Sequence, residues 1–442
     1  MKKLADILKC RFYPVAITLL FAWLVGFLSM VFVYTLPTAP MEQHVKASIA
    51  TFEQEGNYPQ WAKGITFTQQ DNFTDALMLS TAIFPKKDST FVMAMKNYYY
   101  ASAKDGSGPA GALVHQVNGQ FDELQASSYE RYWHGYNVVL KPLLLAMSFS
   151  NIRCLNYMLQ FGLLIFLFVR VNEKFGWRGL VGLGFGVLVL NPESAALSLQ
   201  FAPIFYTTVI ACLLCLKTQR QESFPCLLFL LSGICSSFFD LLTYPIVSLG
   251  LPFCLFLCSR NMENTLSIKR SLSLVLGASV LWAIGYFGMW FGKWVMATLI
   301  TDQNVFLNAY NTIQYRLDGE IPWMQGQEIT VLRVLRSQLR VFNFKAMLIL
   351  ILAFMAFLGV GALKNRSQMK VVLIKEKGLA FGLILTSLMP MGWAAVIKNH
   401  SIIHAFFTHK GYAITFCSLT ILALMICYPR ENQHKSLENM TH

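Results

Sequence analysis

Two carboxylates four residues apart, Asp71 and Asp75, lie in a polar stretch directly before an apolar run. If this stretch is helical, both acids share one helix face, because residues four apart are neighbours there. Such a pair can act as a general base with a second acid that orients the acceptor or raises the pKa of the first. The structural alternative is that Asp71 caps a helix whose dipole favours Asp75 in its first turn. A divalent metal is a third option, although such cations normally take more than two protein ligands.

An aromatic and cationic segment, YERYWHGY, occupies residues 129–136 of the same polar region. Aromatic faces stack on sugar rings, and arginine forms paired hydrogen bonds with phosphate. We therefore expect Trp133, His134 and Tyr136 to contact a sugar or an acceptor, and Arg131 to contact a phosphate. The alternative is an interfacial belt, because Tyr and Trp are enriched at membrane surfaces for purely physical reasons.

Two further groups of cations lie towards the C-terminus. Residues 328–342 place leucines on one helical stripe and arginines beside it, among them Arg336. His400 and His404 are one turn apart if helical, and Lys410 follows them. The absence of an acid in this last segment favours an anion, particularly a phosphate, over a metal. For the arginine helix the alternative is binding to bulk anionic lipid.

The composition identifies an integral membrane protein: 442 residues, 55% hydrophobic and 13% charged, with a mean hydropathy of +0.48. The net charge of +13 does not indicate nucleic acid, because the basic residues are spread over many short loops. That distribution is typical of the cytoplasmic loops of membrane proteins. None of the ten cysteines lies in the long polar segment, so no disulfide framework is expected there.

Ten apolar stretches are each close to the length that crosses a bilayer, about 20 residues. They predict an all-α polytopic membrane protein with a single integral membrane domain over residues 1–442. The placement of Lys and Arg puts both termini in the cytoplasm. Three extracytoplasmic loops result: residues 37–136, which hold ten of the 23 carboxylates, residues 301–343 and the short loop 398–410. The predicted spans are residues 12–36, 154–170, 179–196, 200–216, 224–241, 243–259, 271–295, 344–362, 378–397 and 411–428.

Ionisable residues are missing from the middle of every predicted span. Glu193, Asp240 and Lys293 all project to span ends. Ion-coupled transporters usually bury charges at mid-membrane, where the cost of burial marks them as functional. We therefore expect any chemistry at the extracytoplasmic face.

The order of these features resembles the GT-C superfamily of polytopic membrane glycosyltransferases, which use polyprenyl-phosphate-linked sugars. The architectural likeness covers the whole chain. The segments DNFTDALML, RYWHGY and NHSIIHAFFTHK are similar to segments of uncharacterised bacterial members. The superfamily's acids are commonly adjacent or one residue apart, whereas here Asn72 follows Asp71 and the next acid is Asp75. The resemblance carries the role of base most naturally to Asp71.

The resemblance implies a bacterial plasma-membrane enzyme that transfers a sugar, with inversion, from polyprenyl phosphate to a cell-envelope glycan, polysaccharide or lipid acceptor. Its partners are then the donor, the acceptor and membrane lipids, and no nucleic acid. No cofactor is certain, and a divalent metal stays open. The alternatives are a flippase or exporter, or a polymerase or ligase, for a lipid-linked glycan. The catalytic candidates are Asp71 and Asp75, and the candidates for holding the leaving phosphate are His400, His404, Lys410, Arg336 and Arg131.

Overall fold

The computed structural model describes residues 12–103, 106–217, 223–318, 321, 324 and 327–429. These residues are mostly helical and include one two-stranded antiparallel sheet. The basic N-terminal residues and the C-terminal tail, on which much of the predicted orientation depends, lie outside the described residues.

The first part of the chain is a long apolar helix followed by a region of short elements. The sheet pairs Tyr99 with Ser127 and Ala103 with Leu124, and two of the region's helices pack against each other beside it. In chain order the elements are α1 (Phe12–Val33), α2 (Thr38–Lys46), α3 (Ile49–Glu55), α4 (Asn72–Ala82), α5 (Thr90–Lys96), β1 (Tyr99–Ala103), α6 (Gly108–Val117), β2 (Leu124–Ser127) and α7 (Asn137–Ala146).

The rest of the chain is a bundle of apolar helices interrupted by shorter ones. Short 3-10 turns at Leu199–Phe201 and His409–Tyr412 lead directly into two of its helices. The elements are α8 (Phe149–Phe175), α9 (Trp177–Leu190), α10 (Pro192–Leu197), α11 (Ala202–Lys217), α12 (Ser223–Phe239), α13 (Val247–Glu263), α14 (Ile268–Ile300), α15 (Val305–Asp318), α16 (Val331–Arg340), α17 (Lys345–Lys364), α18 (Arg366–Lys375), α19 (Lys377–Ser387), α20 (Met389–Val396), α21 (Lys398–Ile403), α22 (Ala405–Thr408) and α23 (Ala413–Cys427).

Seven helical segments of the described chain are long and apolar enough to cross a membrane. The chain is therefore a helical, membrane-embedded protein, as the composition predicts. The other three predicted spans coincide with helices of 14 to 17 residues, α9, α12 and α13. A 14-residue helix rises only about 21 Å, less than the ~30 Å hydrocarbon core of a bilayer. Most of α13 is buried among other helices, which accounts for its apolar composition without lipid contact.

We call the end of the bundle that carries the described residues of 37–136, 301–343 and 398–410 the loop face. Contacts between these segments hold them at one end, including a hydrogen bond from Arg131 to Asn308 and ring packing of Tyr58 against Phe406. The three loops predicted to share one side of the membrane therefore meet in the folded chain.

Three buried lysines join helices at the loop face, and each donates to a carbonyl at or next to a helix C-terminus. A cation is favoured there because unpaired carbonyls and the helix dipole both carry negative charge. Each ammonium also lies over an aromatic ring, a further favourable contact. The pairs are Lys141 with Ala82 at 2.6 Å over Tyr34, Lys293 with Met95 at 2.9 Å over Trp133, and Lys410 with Leu190 at 2.6 Å over Phe201.

Helices α12 and α14 approach so closely that glycine is required on both. A Cβ added at Gly285 would lie 2.2 Å from the Leu230 carbonyl oxygen, and one added at Gly233 would lie 2.2 Å from that of Trp282. Because the obstructing atoms are backbone, a side chain at either position forces the helices apart.

We predict that Gly285→Ala lowers the free energy of unfolding by about 1–3 kcal/mol, the usual cost of overpacking. Gly277 is the matched control, because it lies on the same helix and a Cβ there meets nothing within 4 Å. Gly277→Ala should stabilise the helix by roughly 0.5–1 kcal/mol. Unfolding of the purified protein in detergent measures both, and equal effects would contradict the close approach.

Candidate active site

Asp71 is the N-cap of α4 and is almost fully buried. One carboxylate oxygen accepts the Thr74 amide at 3.0 Å and the other accepts the Thr74 hydroxyl at 3.1 Å. Burial raises the pKa of Asp71 to about 7, and the nearby Asp75 charge adds to this, while the bonds from Thr74 oppose it. The carboxyl therefore caps a helix and can also exchange a proton near neutral pH.

Asp75 anchors the loop region to the bundle. Its two oxygens accept the amides of Leu199 and Gln200, each at 2.9 Å, where the chain turns into α11. Burial raises its pKa to about 7, against the opposing effect of both amides and of Arg153. Both oxygens accept backbone amides from a distant part of the chain, so the geometry gives Asp75 a positioning role, whereas the partners of the Asp71 carboxylate all come from Thr74 on its own helix.

Arg153, on α8, forms a second connection between the acidic segment and the helix bundle. Its Nε donates to the carbonyl of Leu197, the last residue of α10, at 2.6 Å. Its guanidinium also pairs with Glu55 at 3.0 Å and donates to Gln70 at 2.6 Å. Glu55 in turn accepts from Asn72 at 2.9 Å. The chain segment that carries Asp71 is thus fixed from both sides.

Tyr58, which sequence reasoning missed, lies alongside Asp71. The amide of Phe73 donates to the Asn57 carbonyl at 2.9 Å, which brings the two segments together. The Tyr58 ring stacks on Phe73 at 5.7 Å and meets Phe406 edge-on at 5.5 Å. Burial and then the Asp71 charge raise the pKa of its hydroxyl. Because Tyr58 is 44% exposed, it offers an accessible aromatic surface beside the buried acid.

His400 and His404 do lie together, with ring centroids 4.6 Å apart. His400 Nε2 donates to the Leu242 carbonyl at 2.8 Å, and its Nδ1 accepts from Arg316. Burial lowers the pKa of His400 well below its usual range and that of His404 to about 3, and Arg316 contributes to both shifts. Both rings are therefore neutral at pH 7, and the positive charge of this cluster belongs to Arg316.

A row of rings connects the two groups of residues. Phe406 packs against Tyr58 on one side and lies 6.4 Å from the His404 ring on the other. The acidic segment and the histidine loop, which are more than 300 residues apart in sequence, thus form one surface of the loop face.

The remaining cations predicted to bind phosphate are placed differently. Lys410 is fully buried and its ammonium is taken up by the Leu190 carbonyl. Arg336 is exposed on α16. Arg131 donates to Asn308 at 2.7 Å and lies over the Tyr129 ring. These three side chains therefore differ in burial and in their partners.

Trp133, His134 and Tyr136 are buried, and their polar atoms bond to the protein itself. Trp133 donates to the Met289 carbonyl at 2.7 Å. His134 Nε2 donates to the Tyr129 carbonyl at 3.0 Å, and its Nδ1 accepts the Tyr136 hydroxyl at 2.9 Å. This segment therefore acts in packing the loop region onto the bundle, with Tyr136 also reaching a large cavity.

That cavity, of about 570 Å³, lies between α7, α8, α11 and α12. Its walls are almost entirely apolar. One of its lining residues is Leu199, whose amide binds Asp75. In a membrane-embedded chain, hydrocarbon is the filling that such walls favour.

The described residues hold no group of three His, Cys, Asp or Glu side chains that could bind a metal ion. At the acid pair, Thr74, Leu199 and Gln200 already use the carboxylate oxygens.

We predict that the same substitution, Asp to Asn, lowers the free energy of unfolding at position 75 but not at position 71. Asp75→Asn keeps one acceptor oxygen but turns an NH2 group towards a backbone amide, so the free energy of unfolding should fall by about 1.5–3 kcal/mol. Asp71→Asn should be tolerated, because Asn is as good an N-cap as Asp and replaces a carboxylate whose charge is costly to bury. Thermal unfolding at pH 8 distinguishes them, and equal losses would contradict the division of roles.

A search among protein families, curated proteins and solved structures found no match to this chain. The chemistry of the site must therefore be inferred from its own geometry.

Proposed function

We propose that the chain is a membrane glycosyltransferase of the GT-C type. It transfers a sugar from a polyprenyl-phosphate donor to a hydroxyl of a cell-envelope glycan or lipid, at the extracytoplasmic face of a bacterial plasma membrane. The observation that carries this proposal is the Asp71 carboxyl, which has a pKa of about 7 and lies beside the exposed ring of Tyr58 at the loop face. A carboxyl with that pKa is well matched to general-base catalysis at neutral pH.

In this reaction Asp71 takes the proton from the acceptor hydroxyl. The acceptor oxygen then attacks the anomeric carbon and forms the new glycosidic bond, while the bond to the donor phosphate oxygen breaks with its electrons. The anomeric carbon inverts, and a single carboxylate base is sufficient because the phosphate leaves without protonation. The aromatic row of Tyr58, Phe406 and His404 supports the proposal, since it spans the space between the base and the Arg316 charge.

The 570 Å³ cavity supports a lipid-borne substrate. The end of the cavity that includes Leu199 lies next to Asp75, because the Leu199 amide binds that carboxylate. A hydrocarbon chain held in the cavity would therefore present its head group near the acid pair. The cavity opens between exposed apolar residues such as Ile210 and Leu231, which face the bilayer. A lipid can therefore enter it from the side.

The first test is Asp71→Asn in a transfer assay with synthetic polyprenyl-phosphate sugars and extracted envelope glycans. Release of polyprenyl phosphate should fall by about 10²–10⁴-fold, the usual contribution of a general base. For the wild type, the rate should rise with pH up to about 7 and then level off, because Asp71 must be deprotonated to act.

Asp302→Asn is the matched control, as it makes the same change at an exposed acid of the loop face. Its turnover should equal that of the wild type. Near-normal turnover of folded Asp71→Asn would eliminate Asp71 as the base. Lipid binding without any new glycosidic bond would favour the flippase or exporter instead.

A second test fills the large cavity. Ile210 lines it and is 49% exposed, so Ile210→Trp can block the entrance without disturbing the core. We expect the KM for a lipid substrate to rise at least about tenfold, equivalent to ~1.4 kcal/mol of binding. Ile165→Trp, at a 64% exposed position on α8 away from the cavity, should leave the KM unchanged. Equal KM values would remove the cavity from the lipid path.

A further inference from the structure

A second cavity, of about 190 Å³, lies at the end of the bundle opposite the loop face. Helix α8 fixes this position, because Arg153 near its start contacts the acidic segment and Phe175 at its end lines the cavity. The helix between these two residues rises about 33 Å. The other walls come from α9, α13, α19, α23 and the junction between α18 and α19.

The walls of this cavity combine apolar side chains with two opposite charges. The apolar part is made of core residues of the surrounding helices, whereas the polar part includes one guanidinium, one carboxylate, one amide and one phenol. These polar side chains are Arg178, Glu376, Asn261 and Tyr428. Such walls favour a molecule that is partly apolar and partly charged.

Glu376, between α18 and α19, is a buried acid that is only 8% exposed. One of its oxygens accepts the Asn261 side-chain amide at 2.6 Å, and the oxygen of that amide accepts the Leu266 backbone N–H at 2.9 Å. Among the described residues, no basic side chain lies within 4 Å of the Glu376 carboxylate. Glutamate is seldom buried unless its charge is paired, because its hydration is lost without compensation. The carboxylate therefore favours a ligand with a positively charged group.

Arg178, near the start of α9, brings the opposite charge to the same cavity. Its guanidinium donates to the Pro429 carbonyl at 2.9 Å and lies over the Trp177 ring at 5.2 Å. These contacts hold the side chain at the cavity wall where α23 ends. Guanidinium groups match phosphate oxygens in geometry and charge. A ligand that meets both charged side chains carries a phosphate and an ammonium group.

We propose that this cavity binds a phosphoethanolamine headgroup, as carried by phosphatidylethanolamine. The ammonium donates to Glu376 and the phosphate accepts from Arg178. Met262 in the cavity wall is 49% exposed, and Tyr428 stacks at 4.6 Å on Phe357, an exposed residue of the membrane-length helix α17. The acyl chains of a bound lipid can therefore lie along α17 in the bilayer. This lipid site is separate from the transferase site and does not depend on it.

Binding is measured with the full-length protein in dodecyl maltoside micelles that contain increasing fractions of tritiated dioleoyl phosphatidylethanolamine. Phosphatidylglycerol, which has a phosphate and no ammonium, is the comparison lipid. We expect saturable binding of phosphatidylethanolamine that Glu376→Gln weakens by about tenfold, the scale of one hydrogen bond to a charged group. The weaker binding of phosphatidylglycerol should not change, whereas Arg178→Gln should weaken the binding of both lipids.

Glu263→Gln is the matched control, because it makes the same change at an exposed acid of the same bundle end that does not line the cavity. It should bind both lipids as the wild type does. Without lipid, Glu376→Gln should unfold at the same or a higher temperature, since it removes a buried charge and keeps an acceptor for Asn261. A clearly lower temperature would assign the carboxylate to the protein's own packing and overturn the site.

Free phosphoethanolamine distinguishes the two sources of the headgroup. Competition by it would show that the headgroup alone is recognised, and absence of competition would show that the acyl chains contribute; both support the site. Equal affinity for the two lipids, or unchanged phosphatidylethanolamine binding in folded Glu376→Gln, would overturn it.

Discussion

The carboxylate of Asp75 accepts two backbone amides, those of Leu199 and Gln200, at the point where the bundle chain turns into α11. The rest of the loop-face geometry depends on this contact. It fixes the start of α4, and through α4 it fixes Asp71, whose own amide donates to Ser198 in the same turn. Arg153 repeats the connection one turn away by binding Leu197. Without these amides, the buried carboxylate of Asp75 would carry the full cost of desolvation. Asp75 therefore forms the connection between the loop region and the bundle, and it also needs that connection for its own stability.

The distribution of charge at the loop face follows from burial. Histidines that lose their hydration lose their proton, which leaves His400 and His404 as neutral hydrogen-bonding groups at pH 7. Lysines that are buried are stabilised by helix carbonyls and aromatic rings. Arginine keeps its charge under almost any burial, since its pKa is far above neutrality. The positive charge beside the two histidines therefore comes from Arg316, although the sequence pattern draws attention to the histidines themselves.

Local features of the site could be predicted from sequence and distant ones could not. The capping role of Asp71 follows from its position before an apolar run, and α4 begins at the next residue. The partners of Asp75 lie 124 residues away, and Arg316 meets His400 across 84 residues. Such contacts leave no periodicity in the chain. Aromatic residues were ambiguous for another reason: Trp133 packs inside and Tyr58 remains exposed, yet both are amphipathic rings in polar loops.

A strained turn at Leu242 orients the histidine cluster. Leu242 has a φ of 67°, a conformation that costs a branched side chain about 1–3 kcal/mol and persists only when surrounding contacts impose it. Two contacts do so here: the Asp240 carboxylate accepts from Thr243, and the Leu242 carbonyl accepts from His400 Nε2. That second bond fixes the tautomer of His400, which leaves Nδ1 free to accept from Arg316. The Arg316 guanidinium therefore bonds to a ring whose orientation is set by a backbone carbonyl in a conformation that leucine adopts only under constraint.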